Sequence, residues 1–503
     1  MRGLLAALAF LSTLGGAVAQ TAPPGAPTPG NSTAIAHRVV STSNAAAQRD
    51  FDEGLTLLYA FNPEEARVRF QHAASLDPAL AAARWGVAMS WGININTDFD
   101  PAGQREGREA IATALRLAGK ASPVERALIG AAIHRFAFDR KADADRSARA
   151  YADAMQHVAR EFPTDDDVQA LAAEASLDIA PWSYWNADGR PMPGIEPIIA
   201  QLQSVLTRDP NHIQANHLLI HALEESPHPE GALAAADRLS ADVFEPGAEH
   251  LAHMPAHTYM AVGDYHAAGV ANTRALDLFD AYLGPEHATG HETYRPHDCT
   301  FAVDAYMMSG EHAAAQREAT RCERSSLALA SEVAIRFGRW AEVAAMKTDL
   351  HFAHGMSAAL AGRPIEAEAD AHALETQPSD NDRIAGAVLR GRIARGRGDR
   401  PSELAALVRA VQIQDAQGYS EPPSFFYPVR ETLGGAYLRA ARYEDAERTF
   451  RADLVKHPRN PRSLLGLSGA LASEGKAAEA QRMQDAFAQA WRWADGALDI
   501  NQL

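Results

Sequence analysis

Three short phrases between Asn216 and Asp304 hold most of the residues in this chain that could do chemistry. NHLLIHALEE supplies His217, His221 and Glu224; HLAHMPAHTY supplies His250, His253 and His257; RPHDCTFAVD supplies His297 and Asp304. On a helix of about 100° per residue, steps of three, four and seven keep side chains on one narrow face. Imidazole and carboxylate are the donors of transition-metal sites, so the spacing points to a divalent ion such as Zn, Cu, Fe or Mn. The pairs His217 with His221 and His253 with His257 place two rings one turn apart, at chelating distance. No Glu follows His217 or His253, so the zinc-protease signature is absent. His217, His221, His253 and His257 are read as ligands. Glu224, His250, His297 and Asp304 are read as further ligands, orienting partners or a general base. That is more than one tetrahedral ion needs, which admits a two-metal site or a layer of supporting groups.

The elements carrying these residues must be helices. Alanine-rich helical periodicity covers nearly everything after Asp50, without strand-like alternation. Ala66, Phe70, Ala73 and Pro78 follow Gly54 at offsets of twelve, sixteen, nineteen and twenty-four; Ala446, Phe450 and Pro458 follow Gly434 at twelve, sixteen and twenty-four. Small and aromatic residues at such offsets mark two helices in close approach, and the proline ends the second. Glycine turns recur at Gly263-Asp264-Tyr265, Gly310-Glu311-His312 and Gly338-Arg339-Trp340. The pattern resembles the tetratricopeptide repeat (TPR) from about residue 47 to about residue 490, with irregular units between 95 and 200. The resemblance implies an all-α, right-handed superhelical α-solenoid of helix hairpins, each packed against its neighbours alone.

In TPR proteins the second, fifth, ninth and twelfth places of each first helix line a concave groove. Registers set from the turn and packing residues place His217, His221 and Glu224 at the fifth, ninth and twelfth. His250, His253 and His257 take the second, fifth and ninth, and His297 and Asp304 the second and ninth. Glu174 and Glu332 fall on the same stripe. The histidines are therefore expected on three successive first helices, facing one groove. The phrases, with Pro181–Trp185, also resemble a group of exported bacterial TPR proteins whose activity is not settled. Where that group carries a second histidine three residues after the first, this chain has Thr300.

Arg2, the apolar run Leu4–Leu14 and Ala17-Val18-Ala19 form the pattern of a cleavable secretory signal over 1–19, directing the chain to the periplasm or outside the cell. Residues 20–44, rich in Pro, Gly, Ser and Thr, read as a flexible linker, and 45–503 as the solenoid. No later run is long and apolar enough to span a bilayer. A formal charge of -17 argues against a nucleic-acid partner, and the basic run Arg390–Arg400 reads as a solvated helix edge. Cys299 and Cys322 flank the Gly310 turn at similar distances, which favours a disulfide in an oxidising compartment. Trp85, Met89, Trp182, Tyr184 and Trp185 either fill gaps between irregular repeats or wall a pocket beside the metal. His351 and His354 read as satisfied core residues; His228, His287 and His312 read as solvated. No nucleophile triad, dinucleotide loop or acid/base carboxylate pair stands out. Two functions remain: a metal site in the groove, with catalysis open, or a non-catalytic scaffold for a peptide or protein partner. A small-molecule groove ligand fits the first. The scaffold predicts histidines too dispersed to share an ion.

Overall fold

Asparagine followed by proline starts helices at both ends of this fold. Asn62 accepts from the Glu65 N–H just before Pro63, and Asn460 from the Arg462 N–H just before Pro461. The side chain satisfies a free backbone donor, and proline occupies a position where no donor is needed. The computed structural model describes residues 33–97, 99–138, 140–282, 294–322, 328–346 and 350–503. The fold is all-α, its helices packed as consecutive pairs such as Ala45–Tyr59 with Pro63–Leu76 and Pro461–Ser473 with Ala477–Ala490. Two isolated bridges, Thr33 with Val243 and Trp185 with Pro191, are the strand-like pairings among the described residues. No described helix is long and apolar enough to cross a membrane.

The repeat spacing has a direct packing cause. Fully buried Phe70 wedges between Gly54 and Gly86, where an added Cβ would approach the ring to 2.9 and 2.4 Å. Phe450 does the same between Gly434 and Gly466, at 2.5 and 2.2 Å. Glycine at these places lets three helices close on one ring. Gly466→Ala should therefore destabilise by about 1–3 kcal/mol through overpacking, despite the roughly 1 kcal/mol that alanine gains in helix propensity. Thermal melting decides the sign; an unchanged or raised Tm would mean the ring has room.

The expectation of neighbour-only packing does not hold, because the coil winds tightly enough for distant units to touch. Tyr265 donates its hydroxyl to the Pro458 carbonyl at 2.9 Å, and the Asp495 N–H reaches the Gly310 carbonyl at 3.2 Å. At the other end, residues 33–44 form a strap rather than the expected flexible linker. Thr33 Oγ1 donates to Glu245 at 2.9 Å, Arg38 binds Asp165 at 2.8 Å and Asp167 at 3.0 Å, and the Ser41 N–H donates to Glu125 at 2.9 Å. These partners lie some eighty to two hundred positions away, so local composition carried no sign of them. Asn62 follows, donating to the Gly247 carbonyl at 3.0 Å. The signal segment and residues 20–32 lie outside the described residues.

Two winding contacts matter for the site. They turn the expected open groove into a closed interior, and they bring Phe61 and Glu421 onto the histidines. A disulfide joins Cys299 to Cys322 at a Cα–Cα distance of 5.8 Å, as the turn geometry suggests. Closing that loop contributes about 3 kcal/mol in the chain-entropy model and braces the helix Tyr294–Ser309.

The strap also sets an acid limit. Burial would raise the Asp167 carboxyl, but His212, Arg38 and the Tyr59 hydroxyl outweigh it and hold the group down at about 2. A carboxylate depressed in the folded state contributes stability that is whole above its unfolded value near 4 and lost as pH falls through about 2. Wild type should therefore lose more stability than Asp167→Asn between pH 5 and pH 2, measured by urea unfolding. Equal losses would remove Asp167 from the acid response.

Candidate metal centre

The helix Ile213–Leu223 carries His217 and His221 one turn apart, and its start is capped by His212, which accepts from the Ala215 N–H. The second phrase is two short helices, Glu249–His253 and Pro255–Val262, broken where Pro255 removes a backbone donor. The three histidines of this phrase divide between two sets of neighbours. His250 joins His217 and His221; His253 and His257 join His297 from the helix Tyr294–Ser309. Within each triad one ligand atom per residue lies within 4.8 Å of the others.

The spacing fits metal donors. Nε2 of His217 lies 3.1 Å from Nε2 of His250, and Nε2 of His253 lies 2.8 Å from His257 and 3.1 Å from His297. Nitrogens bound at about 2.0–2.1 Å to one ion sit roughly 2.9–3.4 Å apart for angles between square and tetrahedral. Nε2 of His221 is buried without a hydrogen-bond partner.

The opposite ring nitrogens of four rings, His217, His221, His253 and His257, are occupied, whereas Nδ1 of His250 is buried without a hydrogen-bond partner. His221 Nδ1 lies 3.2 Å from Glu224 Oε1, and His257 Nδ1 lies 2.9 Å from Glu224 Oε2, so one carboxylate holds a ring of each triad. Glu421 Oε2 adds a contact to His257 Nδ1 at 3.2 Å. His217 Nδ1 meets Gln214 Oε1 at 3.2 Å, and the Gln214 amide donates to Glu174 at 3.0 Å. His253 Nδ1 meets Asn272 Oδ1 at 2.6 Å, while the Asn272 amide donates to the Ala268 carbonyl. These oxygens accept, so on neutral His217, His221 and His253 the proton sits on Nδ1 and the Nε2 lone pair is left for a ligand. Each triad also has an aromatic floor. Phe61 packs 4.5 Å from His217 and 5.2 Å from His250; Phe301 packs 5.4 Å from His253 and 5.1 Å from His257. Trp182 stands edge-on to His221 at 5.3 Å, which favours the pocket-wall reading for that residue.

Burial controls the charges. It pulls His217, His250 and His253 well below the ordinary histidine value, with neighbouring imidazoles adding to the effect. Burial, then His257, takes His297 down to about 3. His257 is the exception: burial opposes its charged form, but Glu224 and Glu421 push it up to about 10. Glu224, although buried, is held at about 2 by His257 and His221. Most of the set is therefore neutral, the ligating form, beside one buried ion pair.

The structure separates the remaining candidates. Glu224 sits behind the rings as an orienting group. Asp304 lies two turns beyond His297 on the same helix, about 10 Å along its axis, and joins neither triad. Its carboxyl oxygens have no hydrogen-bond partner; burial and nearby Glu332 push it well above the ordinary range. His351 and His354 are half exposed and share Asp370, rather than lying in the core. His312 is not a solvated turn residue: its ring packs on Phe337 at 4.9 Å. His228 is exposed as expected, and His287 lies outside the described residues. The sequence reading missed Gln214, Asn272, Phe61 and Glu421. Gln214, three residues before His217, was open to the same helical arithmetic. Glu421, 164 positions from His257, was not.

Removing Glu224 would leave buried His221 without its Nδ1 acceptor and His257 with Glu421 alone. In metal-free protein Glu224→Ala should cost about 3–5 kcal/mol, as for breaking a buried charged pair. Chemical denaturation measures this; a loss below about 1 kcal/mol would mean that solvent or another group replaces the carboxylate.

No family model and no curated protein sequence matches this chain. Among solved structures it is similar to the human IFIT1 dimer with m7Gppp-AAAA, at 14% identity and TM-score 0.33, over 90% of this chain and 93% of that one. It is also similar to the P58(IPK) TPR domain, at 12% identity and TM-score 0.22, over 86% and 99%. The APC/C hetero-tetramer Cut9-Hcn1 matches at 12% identity and TM-score 0.29, over 91% and 95%. These likenesses carry nothing about ligand or activity. Its own consecutive helix pairs make the chain an all-α helical-repeat protein.

Proposed function

We propose that this chain is an exported metal-binding protein whose closed inner face holds two three-histidine centres. The observation that carries the reading is the polarity of the rings: Nε2 atoms approach one another within the triads, while Nδ1 of His217, His221, His253 and His257 is held by carboxylate and amide oxygens. Imidazoles buried only for packing have no reason to turn their free lone pairs toward one another. His217, His221 and His250 would hold one ion, and His253, His257 and His297 the other, with His257 giving up its Nε2 proton on binding. All-imidazole donor sets suit Zn, Cu or Fe better than Mn, which prefers oxygen. Three protein donors leave a coordination position open, where a bound ion would supply Lewis-acid character or redox chemistry. Glu224 would orient one ring of each centre, and Glu421 would secure His257 from the returning coil. Phe61 and Phe301 would keep water from the rings. A disulfide on the helix carrying His297 supports an oxidising compartment.

Close Nε2 spacing argues against the plain-scaffold alternative, which needs dispersed histidines. Protein purified without chelator should carry two equivalents of transition metal by elemental analysis, one per triad. His221→Ala and His253→Ala should each lose one equivalent, and His351→Ala none. A wild-type protein that stays metal-free after incubation with Zn, Cu and Fe salts would overturn the proposal and favour the scaffold.

A further inference from the structure

The C-terminal half of the coil has its own inward-facing stripe, and it is made of arginine. Arg336 ends the helix Leu329–Arg336, Arg392 and Arg395 sit one turn apart on Asp380–Gly396, Arg439 ends Val429–Arg439, and Arg462 begins Pro461–Ser473. All five line a small cavity, and Arg336, Arg392, Arg395 and Arg462 continue into an adjoining one of about 380 Å³, walled by Trp340 and Trp491. Three carboxylate side chains line the two cavities: Glu431 and Glu403, paired with these arginines, and Asp495, which accepts from the Ala313 N–H. Glu431 binds Arg336, at 3.0 Å through one oxygen, and Arg462 at 3.2 Å; Glu403 binds Arg439 at 2.9 Å. Arg392 and Arg395 have no ion pair among the described residues.

This is an excess of cations in a chain with a formal charge of -17. The basic run Arg390–Arg400 thus splits by face. Arg390 turns outward to Glu368 and Glu375, as a solvated helix edge should. Arg392 and Arg395 turn inward. Like charges one turn apart on a helix destabilise it, and the strain registers locally. Burial, then Arg439 and Arg392, pulls Arg395 down to about 10; burial, then Arg336, does the same to Arg462.

We propose that this cavity is a binding site for a small molecule bearing a dianionic group, a phosphate or phosphomonoester, gripped by Arg392 and Arg395 and completed by Arg462. The guanidinium fork matches phosphate oxygens in pairs, and such charge-assisted bonds are stronger than neutral ones. A dianion also offsets the uncompensated charge, which a single carboxylate does only in part. The flanking Trp340 and Trp491 leave room for an organic body on the phosphate. This site is separate from the histidine centres and does not depend on them.

Titration calorimetry with inorganic phosphate on the full chain tests the proposal. One saturable site is expected, with acetate binding at least about tenfold more weakly. Arg392→Gln and Arg395→Gln should each lower phosphate affinity about tenfold or more, the loss of one charged hydrogen-bonding group, while Arg390→Gln leaves it unchanged. Without phosphate, Arg392→Gln should melt no lower than wild type, because it removes repulsion; phosphate should raise the wild-type Tm and not the variant's. Binding should persist in His221→Ala/His253→Ala, which excludes phosphate held by metal. Absence of saturable phosphate binding, binding untouched by both inward substitutions, or binding lost with the histidines would each overturn the proposal.

Discussion

Six imidazoles share a buried interior only at a cost unless every ring nitrogen has a use. A buried donor or acceptor without a partner costs on the order of 1–3 kcal/mol, and His217, His221, His250, His253 and His257 are all essentially buried. The fold meets this demand for four rings with one orientation: oxygens of Glu224, Gln214, Asn272 and Glu421 accept from Nδ1, and the Nε2 atoms are left to one another. Nε2 of His221 remains unsatisfied and is what an ion would satisfy; Nδ1 of His250 is also left without a partner. The same orientation accounts for the buried Glu224: a carboxylate in this place is stable because two imidazoles flank it.

That interior exists because the coil is tightly wound. A loosely stacked repeat array leaves its concave face open to solvent. Here the strap of residues 33–44 and the turn at Asn62 close one side, with Phe61 as the floor beneath His217. The returning coil closes the other, with Tyr265 against Pro458 and Glu421 against His257. Inner-face residues of successive repeats are therefore placed in close contact, and their side-chain types set the character of each segment. Histidine lines the middle, between 217 and 297, with carboxylates behind it. Arginine lines the part that follows, from Arg336 to Arg462.

Repeat geometry is the part most legible in the sequence. Gly54, Phe70, Gly434 and Phe450 announce their spacing because a ring wedged between glycines is a local requirement, met within one hairpin and its neighbour. The grouping of histidines on successive first helices followed from that register. The register did not separate Asp304 from His297, since both share a stripe; rise along the helix, not angle around it, takes Asp304 out of reach. Nor did it divide His250 from His253. Both lie on the helix Glu249–His253, so that division comes from which neighbouring helix each ring meets.

Residue pattern alone determined an all-α repeat fold, the hairpin joined by Cys299 and Cys322, and the helical faces that bear the histidines. These depend on interactions within about one repeat, so their signals lie close together in the chain. Tertiary structure decided that the groove is closed, that the histidines form two triads, and that Glu224 supports rings of both. It also decided which arginines of one basic run face inward. These outcomes depend on the superhelical winding, a sum of small rotations from unit to unit that no single phrase of sequence contains.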